Sequence, residues 1–268
     1  MACRKTHPGS NRKARAERLR EWFDLQLQLV DVIVARRNLS YQEAITSYTN
    51  LPRRFGFALH DGGSNAAEWP GYLRRMSTSC TRSARLGCTE TFARTHLQPW
   101  ASIERKREFG CFNFVPPDDR GLVRIHFAPK DNEGGRGPLS RTKVERRRSE
   151  LTEMFDYIRH DYPQARYVVG VSWLYNLEAY RRLFPAEYGA SRKIFKRRPM
   201  TLTGGSTWGQ FLDHNENIKP ELRDRFLANL RQINFRALWE LFPLPAMITR
   251  APLPVFYNFY AIGRQAHD

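Results

Sequence analysis

Apolar residues near the N-terminus recur at helical spacing. Leu19, Trp22, Phe23, Leu25, Leu29, Val30, Ile33 and Val34 fall at the intervals that line one face of a helix. This helix is expected to begin near Ala14 and to stop at Arg36-Arg37-Asn38, residues suited to a helix C-terminus. Ser40 opens a second helix, because Glu43 stands three residues on, the spacing of a reciprocal capping box. Ile45, Tyr48 and Leu51 form its apolar face, and Pro52 is expected to end it. The stretch Asp61-Gly62-Gly63-Ser64-Asn65 reads as a loop, and a short helix is predicted around Trp69 to Met76. Residues 77–100, rich in Ser, Thr and Arg, give no assignment.

Beyond residue 100 the pattern changes. Phe109 to Val115 reads as a strand, Pro116 to Gly121 as a turn and Leu122 to Ala128 as the hairpin partner. A glycine-rich basic loop follows, Glu133-Gly134-Gly135-Arg136-Gly137-Pro138-Leu139-Ser140. The next helix runs to about His160, with Val144, Leu151, Met154, Phe155 and Ile158 on its buried side. Arg166 to Leu174 reads as a strand ending in Tyr175-Asn176, and a helix carrying Ala179, Tyr180 and Leu183 leads to Pro185. Thr201 to Phe211 is expected as strand and turn around Gly204-Gly205, and Pro220 to Ile233 as a helix with proline in its first turn. The aromatic run Leu253 to Ile262 is expected as a closing strand. This order predicts an α/β protein: an N-terminal basic helical region over 1–100, then a mixed sheet with packed helices over 101–268.

Hydrophobic residues make up 41% of the 268 positions and aromatics 13%, enough for a folded core. The formal net charge of +17 favours polyanionic company: nucleic acid, an anionic membrane face or a phosphate-rich cofactor. No apolar run approaches the roughly 20 residues of a membrane span. The basic stretch Met1 to Arg20 lacks the apolar core of a signal peptide, so a cytoplasmic protein is expected. Cys3, Cys80, Cys88 and Cys111 lack metal-ligand spacing and read as reduced thiols. His60-Asp61 and Asp213-His214 have no third partner in sequence, so no metal is expected, and Asp118 and Asp119 read as turn formers.

A glycine-rich turn between a strand and a helix start can hold a phosphate on backbone N–H groups. The turn at Gly134 lacks the Lys-Ser/Thr ending of a P-loop and the Gly-x-Gly-x-x-Gly of a dinucleotide fold. Arg141, Lys143, Arg146, Arg147 and Arg148 crowd the start of the helix. Cations there oppose the macrodipole, so either a bound anion relieves them or they solvate an exposed face.

Three stretches resemble the GNAT acyltransferase superfamily. They are Arg124-Ile125-His126-Phe127 with Pro138-Leu139-Ser140, then Ser172-Trp173-Leu174, then Asn176-Leu177-Glu178-Ala179 with Tyr180 behind it. The resemblance covers about 109–188. It implies a GNAT-like sheet and transfer of an acyl group from an acyl-CoA donor to an amine or hydroxyl of a small-molecule or protein acceptor. It also implies a cofactor set of Gly134, Gly135, Arg136, Gly137, Ser140, Arg141, Ser172 and Asn176. Tyr175 is then the general acid and His126 the base, with N–H groups at a splayed end of the Val168–Leu174 strand holding the oxyanion. The family's Arg/Gln-x-x-Gly-x-Gly/Ala cradle is replaced: Glu133 would repel phosphate and Pro138 removes a donor. Without the family role, His126 is a hydrogen-bonded strand histidine, and Tyr175 and Trp173 pack in a core. The alternative function is a non-catalytic nucleic-acid-binding protein. It would use the basic N-terminal helix and Arg192–Arg198, with Phe195 or Tyr188 for base stacking.

Overall fold

A computed structural model describes residues 8–57, 67–98, 107–196 and 201–263. In chain order the helices and strands are α1 (Pro8–Arg18), α2 (Arg20–Arg37), α3 (Tyr41–Tyr48), α4 (Leu51–Arg54), α5 (Glu68–Thr78), α6 (Arg82–His96), β1 (Glu108–Phe109), β2 (Phe112–Val115) and β3 (Leu122–Phe127). Then come α7 (Val144–Asp161), β4 (Tyr167–Ser172), α8 (Glu178–Arg181), α9 (Ala186–Ala190), β5 (Lys193–Ile194), α10 (Gly205–Trp208), α11 (Pro220–Arg231), β6 (Met247–Pro252) and α12 (Leu253–Phe259). The protein is thus mixed α/β, and it divides into two units. One comprises residues 1–102 and 197–243, the other 103–196 and 244–268.

The first unit is helical. The single N-terminal helix expected from apolar spacing is two, α1 and α2, separated at fully buried Leu19. Asn38 ends α2 in the left-handed conformation at φ 52°, which asparagine tolerates well. The capping box forms: Ser40 Oγ accepts from the Glu43 N–H at 3.2 Å, and Glu43 Oε2 accepts from the Ser40 N–H at 2.9 Å. Pro52 does not end this helix, which stops at Tyr48. It sits instead in the first turn of α4, where its missing N–H costs nothing. The unassigned stretch contains α6, whose start Thr81 caps by accepting from the Ala84 N–H at 3.1 Å. Leu86, Thr89, Phe92, Ala93 and His96 make its buried face, and polar Thr89 within that face hid the helical period. Residues 205–211 are helical rather than a strand, because Trp208 and Phe211 are both fully buried one turn apart. Trp22 Nε1 donates to the Trp208 carbonyl at 3.1 Å, tying the returning segment to α2.

An ion cluster around buried Arg54 lies in this unit. Glu216, in the left-handed region at φ 63°, receives a two-pronged Arg15 guanidinium and Arg54 Nη2 at 3.3 Å. Burial works to raise the Glu216 pKa, but the hydrogen bonds and charges of Arg15 and Arg54 outweigh it and the net shift is downward. The Asp61–Asn65 loop, His60, Cys3, Arg197 and Arg198 lie outside the described residues.

The second unit is a six-stranded mixed sheet in the order β1-β2-β3-β4-β6-β5. Among the described residues only β3 and β4 pair in parallel, and α7 makes the crossover between them that parallel strands require. The strand expected over Phe109 to Val115 is a hairpin that turns at Gly110, with φ 55°. A Cβ on Gly110 would lie 2.0 Å from the Glu150 carboxyl carbon, so glycine is required twice over. The strand ending in Leu174 is shorter than expected. Trp173 to Asn176 form a 3₁₀ turn that Ser172 opens, its Oγ accepting from the Leu174 N–H at 3.1 Å. The helix expected from Asn176 to Pro185 is shorter, α8 ending at Arg181, and a further helix, α9, starts just after Pro185. The closing strand is displaced: β6 precedes Leu253, and the aromatic run is α12. Pro254 fits the first turn of that helix, while Leu253, Phe256 and Tyr260 turn one face to the core, with Phe256 and Tyr260 against Phe155.

Candidate functional site

The central parallel pair opens at one end. Leu122, Val123, Arg124 and Ile125 pair with Tyr167, Val168, Val169 and Gly170, and there the pairing stops. The outer ladders continue, Phe127 with Phe112 on β2 and Ser172 with Met247 on β6. His126 and Phe127 on one side, and Val171 and Ser172 on the other, therefore lie beyond the last cross-strand pair. Strand alternation places Ile125, Phe127, Gly170 and Ser172 on the face that carries the core, and His126 and Val171 on the other.

Gly170 makes room on the core face for two phenols. A Cβ there would stand 1.8 Å from Tyr175 Oη and 2.4 Å from Tyr188 Oη, and these hydroxyls bond each other at 2.7 Å. Tyr175 is 1% exposed and Tyr188 fully buried. Burial pushes the Tyr175 pKa up to about 12. Tyr188, expected as a base-stacking platform, is instead core. Tyr180 packs edge-on against both Tyr175 and Phe127, closing the core side of the opening. Trp173 is half-buried beside the same core.

The loop after β3 is tied to the end of α8, where Arg182 donates to the Leu139 carbonyl at 2.8 Å. Gly134 and Gly135 are exposed and left-handed, each at φ 68°. The N–H groups of Gly135 and Ser140 turn to loop carbonyls, those of Asn132 and Gly137. Asn176 is structural: its amide donates to the carbonyls of Trp173 at 2.7 Å and Pro245 at 2.8 Å.

Sequence reading missed the charge cluster at the start of α7. Buried Asp131 accepts from Lys143 Nζ at 2.7 Å and Arg147 Nη2 at 2.9 Å, and Lys143 chiefly holds its carboxyl below the usual range. Arg147, 1% exposed, also reaches Glu150 and the Cys111 sulfur. Burial pushes both the Cys111 thiol and the Glu150 carboxyl up. Glu133 pairs with Arg146 at 2.8 Å, so its charge is offset locally. Exposed Arg136 and Arg141 have no ion pair among the described residues. The sequence offers no marker for the cluster, since it joins residues 111, 131 and 147 through the fold.

Comparison with known proteins finds no matching family model, no matching curated protein and no matching solved structure. Among the described residues no helix is long and apolar enough to cross a membrane, and no three His, Cys, Asp or Glu side chains converge as metal ligands.

Proposed function

We propose that the second unit is GNAT-like, binds an acyl-CoA thioester at the parted ends of β3 and β4, and passes the acyl group to an amine or hydroxyl. The observation that carries this reading is the parallel pair that stops at Ile125 and Gly170 while both outer ladders run on. An extended thioester arm entering that opening finds unpaired strand edges. Its diphosphate would meet the loop, where Arg136 and Arg141 supply charge and Arg146 offsets Glu133.

Attack of the acceptor on the thioester carbonyl forms an oxyanion, which N–H groups on the open edge of β4 would stabilise, and a thiolate leaves. His126 and Tyr175 belong to opposite faces of the sheet, so an inserted arm would have one on each side. His126 is the candidate base for the acceptor. A phenol whose pKa is near 12 holds its proton more tightly than a thiol, whose ordinary pKa is about 8.5. Tyr175 accordingly serves as a hydrogen-bond donor to the leaving sulfur rather than as a full acid. Tyr180 must move aside for it to do so.

Thermal unfolding with and without millimolar coenzyme A and acetyl-CoA tests this. At a ligand concentration of 100 Kd, binding adds about 2.7 kcal/mol and raises the Tm. Arg136→Ala with Arg141→Ala should shrink the shift and leave the unliganded Tm unchanged, since both side chains are exposed. No shift in the parent protein overturns the proposal.

A further inference from the structure

The sheet of the second unit has a second face, away from Tyr175 and α7. Its register places Val115, Arg124, Val169 and Arg250 in one row across β2, β3, β4 and β6. The neighbouring row runs Val171, Ile248 and Lys193 across β4, β6 and β5. Arg124, Lys193 and Arg250 are exposed, Val115 is 45% exposed, and Val169, Val171 and Ile248 are half-buried. Adjacent strands lie about 4.8 Å apart, so Arg124 and Arg250 emerge roughly 10 Å from each other with an aliphatic floor between them. The guanidinium of Arg250 lies 3.9 Å from the Tyr167 ring centroid, presenting a flat, cationic stack to solvent.

The charge on this face is predominantly positive: Glu108 shares it at the β1 edge, and the Asp118 carboxylate in the turn before β3 feels the charge of Arg124. None of Arg124, Lys193 and Arg250 has an ion-pair partner among the described residues. Glu108, at the far edge on β1, is tied to Lys130. Asp118, in the turn before β3, accepts from the N–H groups of Arg120 and Leu122, each at 3.0 Å. Cations spaced over apolar side chains, with a planar stack among them, match a chain of phosphates carrying flat bases.

We propose that this sheet face binds single-stranded nucleic acid, with Arg124, Lys193 and Arg250 on phosphates and a base stacked on the Arg250–Tyr167 pair. The surface adjoins the thioester opening at Val171, but its cations Arg124, Lys193 and Arg250 take no part in that reading. A single strand is specified because its bases are free to stack, whereas a duplex would offer only phosphates.

The test is fluorescence anisotropy of a labelled oligouridylate and oligothymidylate against the full chain, titrated with salt from about 50 mM upward, the range in which phosphate contacts weaken steeply. Binding is expected, and Arg124→Gln/Lys193→Gln/Arg250→Gln should flatten the log–log salt slope by about 2, from three contacts at roughly 0.7 each. Arg250→Lys keeps the charge but loses the planar stack, and should weaken binding about tenfold. Unchanged thermal unfolding of these surface variants shows that the fold is intact. Absence of binding, a triple variant that binds like the parent, or equal affinity for a duplex of the same length each overturns the proposal. Stabilisation by coenzyme A without oligonucleotide binding overturns it equally, because the two sites are read by different probes.

Discussion

Replacing Gly170 with alanine tests whether the two buried phenols define the end of the parallel pair. The new Cβ would be 1.8 Å from Tyr175 Oη, 2.4 Å from Tyr188 Oη and 2.6 Å from Tyr175 Cζ. Both rings are fully enclosed, and their hydroxyls share a 2.7 Å bond. Neither ring has free space into which to retreat, so the strand or the tyrosine pair must shift. Overpacking of this kind costs about 1–3 kcal/mol. Losing the hydroxyl pair adds about 1 kcal/mol. Alanine in a strand otherwise gains about 0.5–1 kcal/mol over glycine. The net expectation is a loss of roughly 1–3.5 kcal/mol, the overpacking and hydrogen-bond costs less that gain.

Urea unfolding followed by near-ultraviolet circular dichroism measures this, since the buried tyrosines contribute to the signal. The midpoint should fall while the slope stays constant. A second variant isolates the cause. In a Tyr175→Phe background the nearest atom is gone, so Gly170→Ala should cost less there, with a coupling of about 1 kcal/mol. A Gly170→Ala protein within about 0.5 kcal/mol of the parent would refute the packing argument, because that is the size of an ordinary surface change.

Two further outcomes follow from the first unit. Ser40→Ala removes the acceptor for the Glu43 N–H and should cost about 1 kcal/mol in the urea midpoint. Glu216 has a depressed folded pKa, so its stabilisation is present above its unfolded value of about 4.3 and is lost as pH falls through the lower folded value. Glu216→Gln should therefore destabilise at neutral pH, leaving Arg15 and Arg54 uncompensated. It should also flatten the parent's acid-induced loss below about pH 4.5, read from unfolding midpoints across pH.

Local chemistry was legible in the sequence, and long-range arrangement was not. Ser40 and Glu43 sit three apart and can bond only one way, so the capping box follows directly. The hairpin of β2 and β3 and the helix α7 were likewise visible, through the Pro116–Gly121 turn and an unbroken apolar period. The aromatic run after Leu253 misled because β-propensity describes side chains that suit a half-buried surface, and α12 provides such a surface too. Pro252 and Pro254 were the contrary signals. Residues 201–211 misled in the same way: Gly204-Gly205 reads as a turn, yet Trp208 and Phe211 need helical spacing to reach the core. The return of 197–243 to the first unit had no marker, since the apolar face of α11 shows that it is buried but not against what.

The crowded cations at the start of α7 posed a choice between a bound anion and an exposed, solvated face. Neither describes most of them. Lys143, Arg146 and Arg147 face Asp131, Glu133 and Glu150, three charges of each sign, drawn from the loop and from the next turn of the helix. The protein itself supplies the anions that the helix start favours. This pinning has a consequence for the proposed thioester site. A loop anchored by Asp131 and Glu133 is preorganised, so a diphosphate arriving there need not order it. The charge left over for that ligand is correspondingly small, and it resides in Arg136 and Arg141. Binding at this loop should therefore be weak in its phosphate contacts and should depend chiefly on what the parted strands make with the arm.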